Sequence, residues 1–507
     1  MFHRSAFVIF LTFACTSAQS DPPPTAIAPE VQTVLDSIQA SSLRTDLTYI
    51  ASDQLEGRDS PSHGLDLAAD YIAAQFRRAG LEPAVGDSYF QQASMLIEEP
   101  NFSNFELKLS AGDRQFSATQ KDAVLSFPAE VNLRDAPLFK LDLSDEALVQ
   151  HLTASQVEGK VVITEVDARS RGRFRSANRV LREGKPALLV LVDPKGMTTH
   201  DRRPRRLVDA AESDAEHAIP RVSLTGNDAA RFFSSLHGAL KSGAGNPTAS
   251  VHIAAPHRSP TTLRNVIGVL RGSDPALRDT YVLLTAHYDH LGLRADGPGD
   301  RIYNGANDDG SGTVSVMEVA RALARLPMHP RRSIVFMTFF GEEEGLIGSK
   351  YYADHPVFPL AKSVADLNLE QVGRTDSTEG PQVSNASLTG FDYSDLTTFV
   401  QRAGERTGIK VYKNPKGSDD YFAASDNYSF AEAGVPAETL CVAFDYSDYH
   451  AVGDESQKID YDNMAKVDRA IALAMFQMAD SEQPIKWNES NPKTGAFVKE
   501  WKRRGLE

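Results

Sequence analysis

Residues 281–289 read YVLLTAHYD and residues 333–345 read SIVFMTFFGEEEG. Each is an apolar run of strand length that stops abruptly at side chains able to do chemistry. Runs that are apolar at consecutive positions, not at every second one, belong to strands covered on both faces. Residues 364–369 and 437–443 are two further strand candidates, the first running into Glu370 and the second followed shortly by Tyr449 and His450. Helical periodicity separates the first two, at 313–326, and a closing helix follows the last, at 468–479. The alternation predicts an α/β fold whose mixed, mostly parallel sheet is sandwiched by helices. In such sheets ligands sit beyond the carboxyl ends of the strands.

That edge is where the reactive side chains fall. His287 and Asp289 end the first run, Glu342, Glu343 and Glu344 the second, Glu370 the third, and His450 follows the fourth. Between the first two runs lies 304–312, NGANDDGSG, a glycine-rich loop that opens a helix and carries Asp308. Taken singly, a histidine after a strand is usually structural and an acidic run is usually solvated surface. Adjacent carboxylates at a buried strand end, however, repel one another unless something positive sits among them. Two histidines with three carboxylates form a donor set suited to zinc. Two other chemistries fit poorly. A phosphate cradle would need a lysine where the loop has two aspartates. A serine nucleophile at Ser311, glycine-flanked as it is, would need a strand directly before it.

Working outward, the 507 residues exceed one hydrophobic core and predict at least two folded units. The net charge of −15 argues against nucleic acid as a partner. Basic clusters at 169–182 and 202–206 read as a solvated face or a loop. Residues 1–20 read as an export signal: Arg4, an apolar 6–14, then a small-residue cleavage site at 16–18. The expected location is therefore periplasmic or extracellular. Cys15 follows a poor version of a lipoprotein cleavage box, so a lipid anchor there is the minor alternative. No run is long enough to span a bilayer. With Cys15 removed or lipidated, Cys441 has no partner for an intramolecular disulfide.

After a proline-rich leader at 21–30, residues 31–101 form the amino-terminal part of the main domain, with a helix over 65–79 stopped by Gly80. The texture changes at 102–256, where short apolar segments alternate with charged connections, as in a compact β-rich insertion. The main domain resumes at 257–480, and 481–507 is a polar tail, either lying over the surface or mobile.

These segments resemble the co-catalytic zinc aminopeptidases of metallopeptidase family twenty-eight, a group that also holds glutamate carboxypeptidase and glutaminyl cyclase. The resemblance rests on HYD at 287–289, GANDDGSG at 305–312, EEEGLIGS at 342–349, NLEQVGR at 368–374 and YH at 449–450. SDQLEGR at 52–58, 71–83 and SDNYSF at 425–430 also fit, and the middle unit resembles a protease-associated domain. The resemblance implies the zinc-exopeptidase fold and an exopeptidase releasing amino-terminal residues from peptide substrates. It implies two zinc ions bridged by Asp308, with Glu343 and His450 completing one site and His287 and Glu370 the other. Asp289 would orient His287, Glu342 would be the general base for a metal-activated water, and Tyr449 would stabilise the oxyanion. Other reactions on the same scaffold are glutaminyl cyclisation, carboxypeptidase action on acidic dipeptides, or binding without catalysis, as in a receptor. Two positions depart from the family. Glu370 stands where most members have aspartate, which pushes the carboxylate out by about one carbon–carbon bond and bears on how the second ion binds. Asn427 replaces a residue that is often histidine. Side-chain preference and oligomeric state are not legible.

Overall fold

The computed structural model describes residues 26–126, 129–166, 170–193, 205–212, 219–236, 247–294, 297–377 and 380–505. The expected export signal, the alternative anchor at Cys15 and residues 21–25 of the leader fall outside the described residues, while Pro29 and Glu30, expected in the leader, open helix Pro29–Asp36.

Four parallel strands form the middle of the main domain: Tyr281–His287, Ser333–Phe339, Ser363–Glu370 and Ala437–Cys441. The His287 strand pairs with the 333–339 strand on one side and the Glu370 strand on the other, and the 437–441 strand follows the Glu370 strand. All four carboxyl ends therefore open on one edge. The unbroken apolar runs follow from burial on both faces. Val282, Leu284 and Ala286 join one core, while Tyr281 and Leu283 join the opposite one. Helices His63–Ala79, Gly312–Leu323 and Tyr461–Asp480 cover the first face. Ser62 caps the first of these by accepting from the Leu65 N–H, and Gly80 ends it in the left-handed conformation.

Two long strands carry the chain between its units. Phe90–Ala111 and Thr248–Leu270 run antiparallel and pair from Phe90 opposite Val266 to Ser110 opposite Thr248. Positions 102 and 256 lie inside these strands, so the units share a ladder, not a linker. The middle unit is less purely β than expected. Its strands Val131–Lys140, Val161–Glu165, Leu188–Val192 and Arg221–Leu224 are mutually parallel, and helices Arg171–Gly184 and Asn227–Ser235 accompany them. The first basic stretch is helical from Arg171 onward, with Arg179 and Arg182 exposed, in keeping with a solvated face. The middle unit also returns to the main body: strand Arg206–Asp209 pairs with Met95 to Glu98, and Leu207 enters the main core.

The carboxyl-terminal segment lies over the body, and is pinned there. Trp487 and Trp501 are buried against the second core, the latter on helix Gly495–Arg503. Cys441 is buried, its thiol 3.8 Å from the Gln371 carbonyl. Among the described residues, no helix is long and apolar enough to cross a membrane.

Candidate metal centre and active site

The sheet edge brings the chemistry-bearing side chains into one cluster. His287 is the last residue of its strand and Glu370 the last of the neighbouring one. Their tips meet, with His287 Nε2 3.4 Å from Glu370 Oε2 and 3.4 Å from Asp308 Oδ1. The other oxygen of Asp308 lies 3.0 Å from His450 Nε2, which is itself 3.4 Å from Glu343 Oε2. Asp308 therefore stands between two donor groups and offers one oxygen to each.

Local structure explains why the loop can place it there. Gly305 has a φ of +56°, and a β-carbon at that position would fall 2.5 Å from the His290 ring. The Asn307 and Asp308 N–H groups donate to Asp454 Oδ2 at 2.9 and 3.1 Å, and Gln371 N and Gly312 N donate to Asp309 Oδ1. Arg58 supports the same loop from beneath. Its guanidinium, fully buried, donates to the carbonyls of Ile50, Tyr288, Asn304 and Gly305. Burial pulls the Arg58 pKa down to about 10, opposed by the charges of Asp289, Asp454, Asp308 and Asp309.

The remaining residues singled out by sequence lie around this core. His287 Nδ1 is 3.2 Å from the Asp289 carbonyl and 3.5 Å from its Oδ1, which also accepts from the Glu342 N–H. Glu342 Oε2 lies 3.8 Å from His287 Nε2. Tyr449, 43% exposed, stacks on the His450 ring with centroids 4.0 Å apart at the lip of the pocket. Three participants were not anticipated. His290 Nδ1 is 2.7 Å from Glu343 Oε1, Asp309 joins the His287 group, and Asp454 holds the loop. The signal for the first two was their adjacency to motif residues; nothing in the local sequence marked Asp454.

The electrostatics call for cations. Burial raises the Glu342 carboxyl well above its ordinary range, with Glu370, Glu343 and Asp426 acting in the same direction against His287. Burial alone would lower His287, yet Glu370, Glu342, Asp289 and Asp308 override it and hold the imidazole well above its usual value. Burial also pushes Asp309 well up, reinforced by Glu370. Two donor groups have ligand atoms within 4.8 Å of one another: His287, Asp309 and Glu370, and His290, Asp308 and Glu343, the latter joined by His450 through the contacts above. Nε2 of His287 and Oδ2 of Asp309 are buried without a hydrogen-bond partner. Orphaned nitrogen and carboxylate donors facing one another fit zinc.

A cavity of about 580 Å³ opens beside the cluster. Leu346, Thr389, Tyr421, Ala424 and Phe444 form its less polar wall, and Asp308, Glu342, Glu343, Glu370 and Asp445 also line it. No lysine or arginine is among its described lining residues.

Residues 265–475 match the model of Peptidase family M28. The chain is 27% identical over 233 residues to aminopeptidase YwaD of Bacillus subtilis, covering 44% of this chain and 47% of that one. It is 29% identical over 225 residues to leucine aminopeptidase 1 of Fusarium vanettenii, covering 41% and 56%. The chain thus spans about half the length of the curated relatives it matches. Its fold is that of an aminopeptidase from Aneurinibacillus sp. strain AM-1, at a TM-score of 0.57 and 20% identity, over 90% of this chain and 97% of the other. The Bacillus subtilis zinc aminopeptidase BSAP aligns at a TM-score of 0.52 and 19% identity, over 88% and 96%.

Proposed function

We propose that this chain, whose residues 265–475 match a metallopeptidase family, is a zinc-dependent aminopeptidase working through a two-ion centre. The observation that carries the reading is Asp308 standing between two donor groups, with one carboxylate oxygen turned to each. His287 and Glu370 complete one site, and Glu343 and His450 the other. Zinc held there would polarise the scissile carbonyl and lower the pKa of a water molecule.

The protein's own residues do the rest. Asp289 holds His287 Nδ1, leaving Nε2 toward the ion, a support worth ~10–100-fold in affinity or activity at such sites. Glu342 takes the proton of the attacking water, whose oxygen bonds to the carbonyl carbon. As the carbon–nitrogen bond breaks, the same carboxyl returns the proton to the leaving amine. Tyr449, at the pocket lip, stabilises the charge growing on the carbonyl oxygen. The lining selects the end of the peptide. A cationic amino terminus suits a pocket rich in carboxylates, whereas a carboxypeptidase for acidic dipeptides needs a basic group to hold its substrate's carboxylate, and none lines the cavity among the described residues.

Chelation is expected to abolish hydrolysis of aminoacyl anilides and zinc to restore it, with acidic dipeptides and glutaminyl peptides turned over poorly. Glu342→Gln should retain its zinc and lose ~10²–10⁴-fold in kcat. Activity that survives exhaustive metal removal, or a fully active Glu342→Gln, would sink the proposal.

A further inference from the structure

Glu342 stands on a turn whose backbone is fixed from two directions. Strand Ser333–Phe339 ends just before it, and the chain then folds back, Gly345 N and Leu346 N donating to the Glu342 carbonyl at 2.8 and 2.9 Å. The two amides that open this turn are each held by a side chain. Glu342 N donates to Asp289 Oδ1 at 3.1 Å, and Gly341 N donates to Ser60 Oγ at 3.1 Å. Gly341 has a φ of +66°, and a β-carbon there would lie 3.1 Å from that of Ile347. Asp289 follows directly on the His287 strand, so its bond comes from the sheet. The Ser60 bond comes from segment 59–62, which belongs to no helix or strand, although Ser60 itself is fully buried.

A side chain of the middle unit holds that segment. Arg205 Nη2 lies 2.6 Å from Asp59 Oδ1 and also donates to the Ser60 carbonyl. Arg205 directly precedes strand Arg206–Asp209, whose pairing with Met95 to Glu98 fixes the backbone from which the guanidinium reaches. Asp59 also packs closely on Gly292, where a β-carbon would fall 2.5 Å from that of Asp59. Elsewhere the segment borders open space, a cavity of about 350 Å³ lined by Asp59, Pro61, Ser62, Arg205 and Glu344. Chain beside a cavity lacks the packing that would keep it in place, and a charged hydrogen bond can do so instead.

From this geometry we infer that Arg205 is a positioning residue for the reaction: through Asp59 and Ser60 the middle unit sets the Gly341 amide, and with it the place of the Glu342 carboxylate. The inference rests on the reading of Glu342 as the general base. A base that must meet first a water and then a leaving amine works only when its support holds it to within about 0.5 Å. The metal ligands have other supports. His287, Asp308, Glu370 and His450 lie on other elements, and Glu343 is held by His290 at 2.7 Å. Loosening segment 59–62 therefore bears on proton transfer and leaves the metal in place.

Steady-state kinetics of the zinc-loaded protein, with hydrogen exchange of the substrate-free protein, test the assignment. In Arg205→Ala, kcat is expected to fall ~10–100-fold while KM and zinc content stay as in the native chain. The amides of 341–346 exchange faster, because the Gly341 bond to Ser60 opens more often. Arg205→Lys keeps one charged donor for both oxygens and recovers most of the kcat. In a Glu342→Gln background, adding Arg205→Ala lowers the residual kcat by less than about twofold, because the group it positions is already gone. An Arg205→Ala protein with native kcat and native exchange overturns this inference alone. So does an activity loss matched by loss of zinc, or an equal fall in the Glu342→Gln background. A fully active Glu342→Gln overturns the reading of the general base and this inference with it.

Discussion

Two hydrogen bonds converge on the hydroxyl of Thr397, and it has one proton to give. Thr397 Oγ1 lies 2.8 Å from the Phe391 carbonyl, which can only accept, and 2.7 Å from Glu438 Oε2. Glu438 must therefore donate, and its carboxyl is held neutral. Burial pushes it up to about 8, opposed by the hydrogen bond that Ser394 donates to Oε1. The folded pKa is raised above the unfolded one, so the associated stability is full below about pH 4.5 and is lost as pH rises toward 8. The difference is worth on the order of 4–5 kcal/mol. Glu438→Gln supplies a permanent N–H in place of that O–H. Its melting temperature should exceed that of the native chain at pH 8 and converge with it near pH 5; parallel curves at all pH values would contradict this. Residues of this kind were not legible in the sequence. The motif residues were, because an acid or a histidine at the end of an apolar strand needs a reason. Glu438 sits inside its strand, and the side chains that it meets there, Ser394 and Thr397, lie more than forty positions away.

At the scale of elements, the four parallel strands were legible because burial on both faces writes an unbroken apolar run, and the register of those strands set which ends meet. Turns were less so. Residues 306–311 depart from helical geometry at Asp308 and Asp309, a shape held by Asp454 and the Gln371 N–H, both far along the chain. The carboxyl-terminal segment is the plainest difference. Its charged composition suggested only a surface tail, because two widely spaced tryptophans make no periodic pattern. In the structure Trp487 Nε1 donates to the Gly434 carbonyl, and Trp487 stacks on Phe497 of the last helix at 5.1 Å. Trp501 is 3% exposed beside them. Trp501→Ala is expected to lower the unfolding free energy by about 3–5 kcal/mol, as measured by urea denaturation. A change below about 1 kcal/mol would mean that the helix is only loosely applied.

For the whole molecule, composition could announce two units but not how they are joined. The sequence break at 102 and 256 marks a change of texture along two continuous strands, and the middle unit returns through Leu207 to the main core and through Arg205 to Asp59 at 2.6 Å. Cores connected in this way should unfold together. Differential scanning calorimetry is expected to show one cooperative transition, and two resolved transitions would overturn the expectation. The paired strands carry a further consequence. Irregularities at 252–257 bend the ladder without interrupting the pairing on either side. Swinging one unit against the other would mean shearing backbone hydrogen bonds, so there is no axle about which a domain could pivot. Breathing is left to loops, and the profile that the middle unit presents beside the main body acts as a fixed gauge instead of a door.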